Sequence, residues 1–385
     1  MMPNKSILLI GLLLILGGCI KPYYPKFNED SIQKWVVEGM ISNQEGWQEV
    51  RISISSSYFI AEFVGVEDCE VEIWDDLNQK FTLEEVNKGI YRVWMSQEYL
   101  VPGRSYKLHV KTSDGNILES TFDQMPVGPE ISDTYFEIKD LPTSEPDEWL
   151  SGIQFYTDLN AGEDDSRYYR WRVTETWEYE SAYPKEYYYD GEIQRYVPPD
   201  SSQYYCWDTE QIDEVFTITT ENLSENTFTK IPLHFVSSKT DQLSKLYSIF
   251  VEQIALSEEA FVYWDQLRKN ISVGEGLYAS QPLAIKGNIS NVNNPDQSIL
   301  GFFQASSISS KRFFVESVEG LELDFSNSCS PAVLRKGLLE IKPRDYPAYL
   351  MTSESGNWLP IIFNYECVDC TLRGGSTEKP DFWPW

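Results

Sequence analysis

From Lys34 to about Thr121 apolar and polar side chains alternate with a period of two, a pattern that only half-buried strands satisfy. Trp35-Val36-Val37-Glu38-Gly39-Met40-Ile41 opens the series, and Val50, Ile52 and Ile54, then Cys69, Val71 and Ile73, continue it. Lys80-Phe81-Thr82-Leu83, Tyr91 and Val93, Tyr106, Leu108 and Val110, and a last run from Ile117 to Phe122 complete it. About seven short runs in some ninety residues, with turn signals such as Val101-Pro102-Gly103-Arg104 and Asp114-Gly115, predict a β-sandwich over residues 34–126. The module is expected to be immunoglobulin-like or transthyretin-like.

Met125-Pro126-Val127-Gly128-Pro129 marks a boundary, because two prolines in four residues interrupt helix and sheet alike. Residues 127–385 read as a larger β-rich domain. Its strand candidates include Ile153-Gln154-Phe155-Tyr156-Thr157, Tyr168-Tyr169-Arg170-Trp171-Arg172-Val173 and Leu246-Tyr247-Ser248-Ile249-Phe250-Val251. Gly287-Asn288-Ile289, Leu300-Gly301-Phe302-Phe303 and Arg312-Phe313-Phe314-Val315 supply more. One helix is expected near 257–270. Ser257 suits its N-cap, Glu258 and Glu259 its first turn, and Arg268-Lys269 its last. Ala260, Phe261, Trp264 and Leu267 fall on one face, which should pack on a sheet.

The first eighteen residues read as a signal peptide: Lys5 precedes an apolar run from Ile7 to Leu16 that is too short to span a bilayer. Gly17-Gly18 before Cys19 resembles a bacterial lipobox, so Cys19 is the expected site of acylation, including palmitate, and of the mature N-terminus. Three acyl chains would hold far more firmly than one. Ile20-Lys21 favours the outer membrane over retention in the inner one, and either face of that membrane stays open. Residues 19–33, with Pro22 and Pro25 and no periodicity, read as a lipidated tether.

Lys and Arg total 31 against 60 Asp and Glu, a formal charge of −29, which repels phosphate backbones and argues against nucleic-acid binding. An exported chain meets an oxidising compartment, so disulfides are expected. Beyond Cys19 there are five cysteines; Cys69 shares a strand face with Val71 and Ile73 and reads as a small buried hydrophobe. Cys206, Cys329, Cys367 and Cys370 remain, with three pairings open among them. Cys367-Val368-Asp369-Cys370 has metal-like spacing, but zinc takes four ligands and the chain holds two histidines, so no metal is assigned.

Those two, His109 and His234, lie in strands whose apolar residues face the other way and read as surface histidines rather than bases. Asp158-Leu159-Asn160-Ala161-Gly162-Glu163-Asp164-Asp165 resembles part of a calcium loop but lacks its glycine spacing and distal glutamate, and reads as a polar turn. No catalytic residue, phosphate loop or cofactor site is assigned. The segment from Trp177 to Tyr205 is rich in tyrosine and reads as a long hairpin or protruding loop. Tyr187, Tyr188, Tyr189 and Tyr196 are its candidate binding aromatics, unless the hairpin packs on its own sheet.

Tyr247-Ser248-Ile249, Val251, Gln253, Ala255-Leu256-Ser257, Ala260 and Tyr263-Trp264 form a more specific signature. With Gln281-Pro282, Gly287-Asn288-Ile289, Leu300-Gly301-Phe302-Phe303, Ala305-Ser306-Ser307 and Lys311-Arg312, it resembles the Bacteroidota lipoprotein family known as domain of unknown function 4249. Val36-Val37-Glu38-Gly39 resembles the family's opening; Cys367-Val368-Asp369-Cys370, Gly374-Gly375 and Lys379-Pro380-Asp381-Phe382-Trp383 resemble its ending. Its cysteines map to Cys206, Cys329, Cys367 and Cys370, while Cys69 and the tyrosine segment depart from it. The resemblance implies an outer-membrane lipoprotein often encoded beside a TonB-dependent receptor, with no established activity. The expectation is a non-enzymatic, lipid-anchored accessory protein of such a β-barrel, acting in ligand capture or assembly. A surface enzyme working on glycan or peptide through carboxylates, or a free-standing adhesin, is the alternative.

Overall fold

The computed structural model describes residues 33–56, 62–145, 147–273, 285–325, 329–353, 355–361 and 364–384. The leader, Cys19 and the tether as far as residue 32 lie outside them, as does Gln281-Pro282. The chain is mainly β, as its alternation predicts, with one long helix. Among the described residues no helix is long and apolar enough to cross a membrane.

In the first sandwich Trp35–Ser42, Gly46–Ile54 and Ile90–Met95 form one antiparallel sheet, and Glu70–Asp75, Ser105–Lys111 and Ile117–Ser120 the other. Lys80–Asn87 joins them: residues 80–83 pair with Glu70–Asp75, and 84–87 with Ile90–Met95. Val37, Ile41, Val50, Ile52, Val71, Ile73, Tyr91, Leu108 and Val110 are fully buried between the layers, the inward half of the period-two pattern.

Residues 34–126 do not close this sandwich alone. Its core also takes Ile289, Ile299, Phe303 and Ala305 from beyond the helix. Ile289–Asn291 pairs with Ile117–Ser120, and residues 303–306 run parallel to Trp35–Ser42. Both edge strands, whose backbone groups would otherwise stand open, are thereby covered. The return path is tight. Gly301 has φ +96°, and a Cβ there would lie 2.0 Å from the Val37 carbonyl oxygen; one on Gly287 would lie 1.8 Å from that of Gly301.

The strand Phe303–Val315 belongs to both bodies. Its residues 303–306 pair with the first sandwich, and 307–315 pair antiparallel with Tyr247–Ala255. The proline-rich boundary lies along the same strand and is held there. Ser307 and Ser309 hydroxyls donate to the Pro126 and Pro129 carbonyls at 2.5 and 3.0 Å, and Gln253 Nε2 reaches Pro129 at 3.1 Å.

The second sandwich sets Thr134–Pro142, Trp149–Asn160 and Thr227–Ser237 against a sheet of Tyr205–Gln211, Tyr168–Glu180, Tyr247–Ala255 and residues 307–315. Ile153 and Phe155 meet Tyr169, Trp171, Val173, Ile249 and Val251 in its core, and Phe155 stacks on Tyr247 at 5.6 Å. The helix Glu258–Val273 covers the outer face of that sheet. Ser257 Oγ accepts the Ala260 N–H at 3.2 Å, as an N-cap should, and Ala260, Phe261 and Trp264 face inward. The helix outruns its expected end near 270, so Arg268 and Lys269 do not sit in its last turn; both pair with Asp265 at 2.7 Å.

Candidate functional site

Strand alternation divides the tyrosine segment. Lys185–Tyr189 and Ile193–Asp200 form a hairpin, and Ala348–Thr352 and Trp358–Pro360 extend it into a separate four-stranded sheet. Tyr187 and Tyr189 turn towards Ile341, Ala348 and Leu350, with Tyr187 on Trp358 at 5.0 Å and Tyr189 on Tyr346 at 5.4 Å. Tyr188 meets Tyr196 at 5.1 Å. The four candidates therefore do not form one surface: two help to build the small core, and the other two meet each other at a tilt of 38°.

The cysteines tie this sheet and the tail to the body. Cys206 bonds Cys370 and Cys329 bonds Cys367, while Cys69 is a free, partly buried thiol. Cys206 and Cys370 are fully buried, and Cys370 joins the core of the second sandwich. The histidines are engaged rather than free: His109 Nδ1 lies 2.8 Å from Glu119, and His234 Nε2 lies 3.3 Å from Glu175. Buried Glu175 also accepts from Tyr247 and Gln242 at 2.7 and 2.8 Å, which satisfies it structurally. Asp158 accepts from Tyr135 and the Lys230 backbone instead of turning into its acidic loop.

The residues best arranged to bind something lie elsewhere, in a hollow of about 420 Å³ where the two sandwiches and the helix meet. That size is within the range of small-molecule sites, about 300–1,000 Å³. Along Tyr168–Glu180 the buried Tyr169, Trp171 and Val173 alternate with Arg170 and Arg172, which therefore point out of the core and into the hollow. Arg172 is opposite Glu252 in register and forms a two-point ion pair, Nε–Oε2 2.5 Å and Nη2–Oε1 2.7 Å.

Arg170 is different. Its guanidinium carbon lies 3.6 Å from the centre of the Trp264 ring, a cation–π contact, and the indole N–H is fixed by Gln304 at 2.6 Å. Its Nε is fully buried without an acceptor, and among the described residues no hydrogen bond reaches its guanidinium, on which Glu252 and Glu38 act through charge alone. Burial, and then the neighbouring Arg172 charge, pushes its pKa down to about 10, so it stays a cation at neutral pH. Glu49, which also lines the hollow, is raised by burial but held below its ordinary value by hydrogen bonds and charge from Arg51 and Arg92. Trp47 forms an exposed rim and meets Trp94 edge-on at 5.6 Å. A larger hollow, about 660 Å³, lies beside Glu180 and Tyr204, but its cations are paired: Lys245 with Glu180, Lys239 with Glu148 and Arg373 with Asp241.

Sequence reasoning missed Arg170, Arg172 and Glu252. The local signal was the arginine alternation across Trp171; nothing local shows that Glu38, Glu252 and Trp264 meet it.

The fold and this hollow define a two-sandwich β protein with a shared strand and a charged, aromatic junction site. The chain belongs to the family described as domain of unknown function DUF4249, whose model matches residues 20–312. The tail motifs from Cys367 onward lie beyond the matched residues. No curated protein matches the chain. Among solved structures it is similar to a DUF4785 family protein from Legionella pneumophila, at 10% identity and TM-score 0.18, covering 56% of this chain and 51% of that one. It is also similar to trypsin-activated alpha-2-macroglobulin from Escherichia coli, at 9% identity and TM-score 0.18, covering 62% of this chain and 15% of that one.

Proposed function

We propose that this chain is a non-enzymatic, lipid-anchored accessory protein of the outer membrane of Bacteroidota, tethered through acylated Cys19 and working beside a TonB-dependent β-barrel receptor in ligand capture. The leader and its Gly17-Gly18-Cys19 ending support the anchor. The observation that carries the binding role is the contrast inside the junction hollow. Arg170 is left without a hydrogen-bond acceptor, whereas Glu252 and Glu49, which line the hollow together with Glu38, are engaged by arginines. Bond cleavage by carboxylates needs one held protonated as a general acid, and an arginine-paired carboxylate is poorly suited to that task. A cation over an indole at the floor of a hollow suits holding a ligand.

The test is a mild-detergent pull-down of the tagged chain from its own outer membrane, alongside palmitate labelling of the parent and of Cys19→Ala. Label lost in the variant, with a β-barrel recovered in stoichiometric amount, supports the reading. Recovery of the acylated chain alone overturns the partnership, and equal labelling of the two proteins overturns the anchor.

A further inference from the structure

We propose that the junction hollow binds an acidic saccharide, with the sugar carboxylate on Arg170 and a sugar face against the rim indole of Trp47. The inference rests on the binding role proposed above and names its ligand class. Five N–H donors project from a guanidinium, and leaving them without acceptors in a partly buried place is costly. Arg172, two residues along the same face, is satisfied by Glu252 at two points, whereas Glu252 and Glu38 act on Arg170 through charge alone and neither is hydrogen-bonded to it. Nε is sealed from the hollow, so a ligand carboxylate meets the Nη edge, in the planar two-point geometry that a guanidinium matches.

Three further features favour a sugar over a simple anion. The hollow is far larger than a carboxylate. Trp47 is 61% exposed at its edge and offers a flat apolar face. Gln211, exposed on the rim, makes no side-chain hydrogen bond among the described residues and can meet ring hydroxyls, while Gln304 and Gln48 are already fixed by internal hydrogen bonds. The chain's charge of −29 disfavours general attraction of anions, so recognition must come from this local cation.

The test is titration calorimetry on the full mature chain in detergent, with digalacturonate, its dimethyl ester and the neutral digalactoside as probes. Trp fluorescence provides a second readout beside Trp264. The acid should bind, with the ester and the neutral sugar weaker on the order of 10- to 100-fold, as expected for loss of charge-assisted hydrogen bonds. Arg170→Gln should reduce acid binding to the level of the ester, with an unchanged melting profile, and Trp47→Ala should weaken all three sugars. Equal affinity for acid and ester, binding unaffected by Arg170→Gln, or no binding of the acid overturns the inference. Recovery of a β-barrel with Arg170→Gln as with the parent separates this outcome from failure of the accessory role.

Discussion

The Asp123 carboxylate, at the end of the first sandwich, accepts the backbone N–H of Ala305 at 2.8 Å, near the start of the strand that the two sandwiches share. The acid is only 4% exposed, so an ionisable group stands at the seam between the bodies.

Burial, opposed by the Ser257 and Ala305 hydrogen bonds, pushes the Asp123 pKa from 3.8 up to about 6. The folded chain thus holds this proton more tightly than the unfolded chain. Its contribution to stability is complete below about pH 4 and is lost as pH rises through about 6. At about 1.36 kcal/mol per pKa unit the loss is at most about 3 kcal/mol. Asp123→Asn cannot ionise and should remove that slope. Urea unfolding of both proteins at pH 4 and 7 measures it, with the variant gaining on the parent at the higher pH.

Gly301 should not accept a side chain. Its φ of +96° and the 2.0 Å approach to the Val37 carbonyl oxygen both oppose a Cβ. Gly301→Ala should cost about 1–3 kcal/mol or more, since strained backbone alone accounts for that much. A matched change at Gly115, where nothing lies within 4 Å of the added Cβ, retains the φ penalty without the clash and gives the comparison.

The two disulfides should differ in reach. Cys206–Cys370 closes a separation of 164 residues and Cys329–Cys367 one of 38, so chain entropy assigns them about 5 and about 4 kcal/mol. Location separates them further. Replacing Cys206 and Cys370 with Ser should lower the main thermal transition, because they lie against the second core. Replacing Cys329 and Cys367 should leave that transition largely intact and speed protease cleavage between residues 329 and 361.

Tyr179 holds the tail. Its hydroxyl donates to the Cys370 carbonyl and accepts the Gly375 N–H, both at 3.0 Å. Tyr179→Phe leaves two backbone groups unpaired and should cost about 1–3 kcal/mol. Faster amide exchange at Gly375 in the variant would show that the loss is local; an unchanged rate would mean that the tail is held by other contacts.

Where the outcome depends on neighbouring residues, the sequence was readable. The strands around Val37, Val71 and Leu108, the Ser257 cap and the setting aside of Cys69 all follow from period, capping and spacing. The tyrosine segment is half readable: a long hairpin or protruding loop is expected, but the strand that joins Lys185–Tyr189 comes from Ala348–Thr352, more than 150 residues away. The return of Ile289 and Phe303 to the first core was not readable, because an apolar run does not say which open edge it will cover. The same limit hid the junction hollow. Its walls come from Glu38, Arg170, Glu252 and Trp264, and only Arg170 and Arg172 announce themselves by alternation.

The strand Phe303–Val315 also sets an order of events during synthesis. A chain made from its N-terminus at about 5–20 residues per second produces the whole of 34–126 well before residue 306 exists. Until then the edge at Trp35–Ser42 has no neighbour and the pocket awaiting Phe303 is wet. The nascent first sandwich therefore keeps an unpaired edge and an unfilled core until residues 289–306 are made, and the second core waits longer still, for Cys370. Truncations ending anywhere between residues 127 and 300 should aggregate, although each contains every strand that the first alternating series encodes.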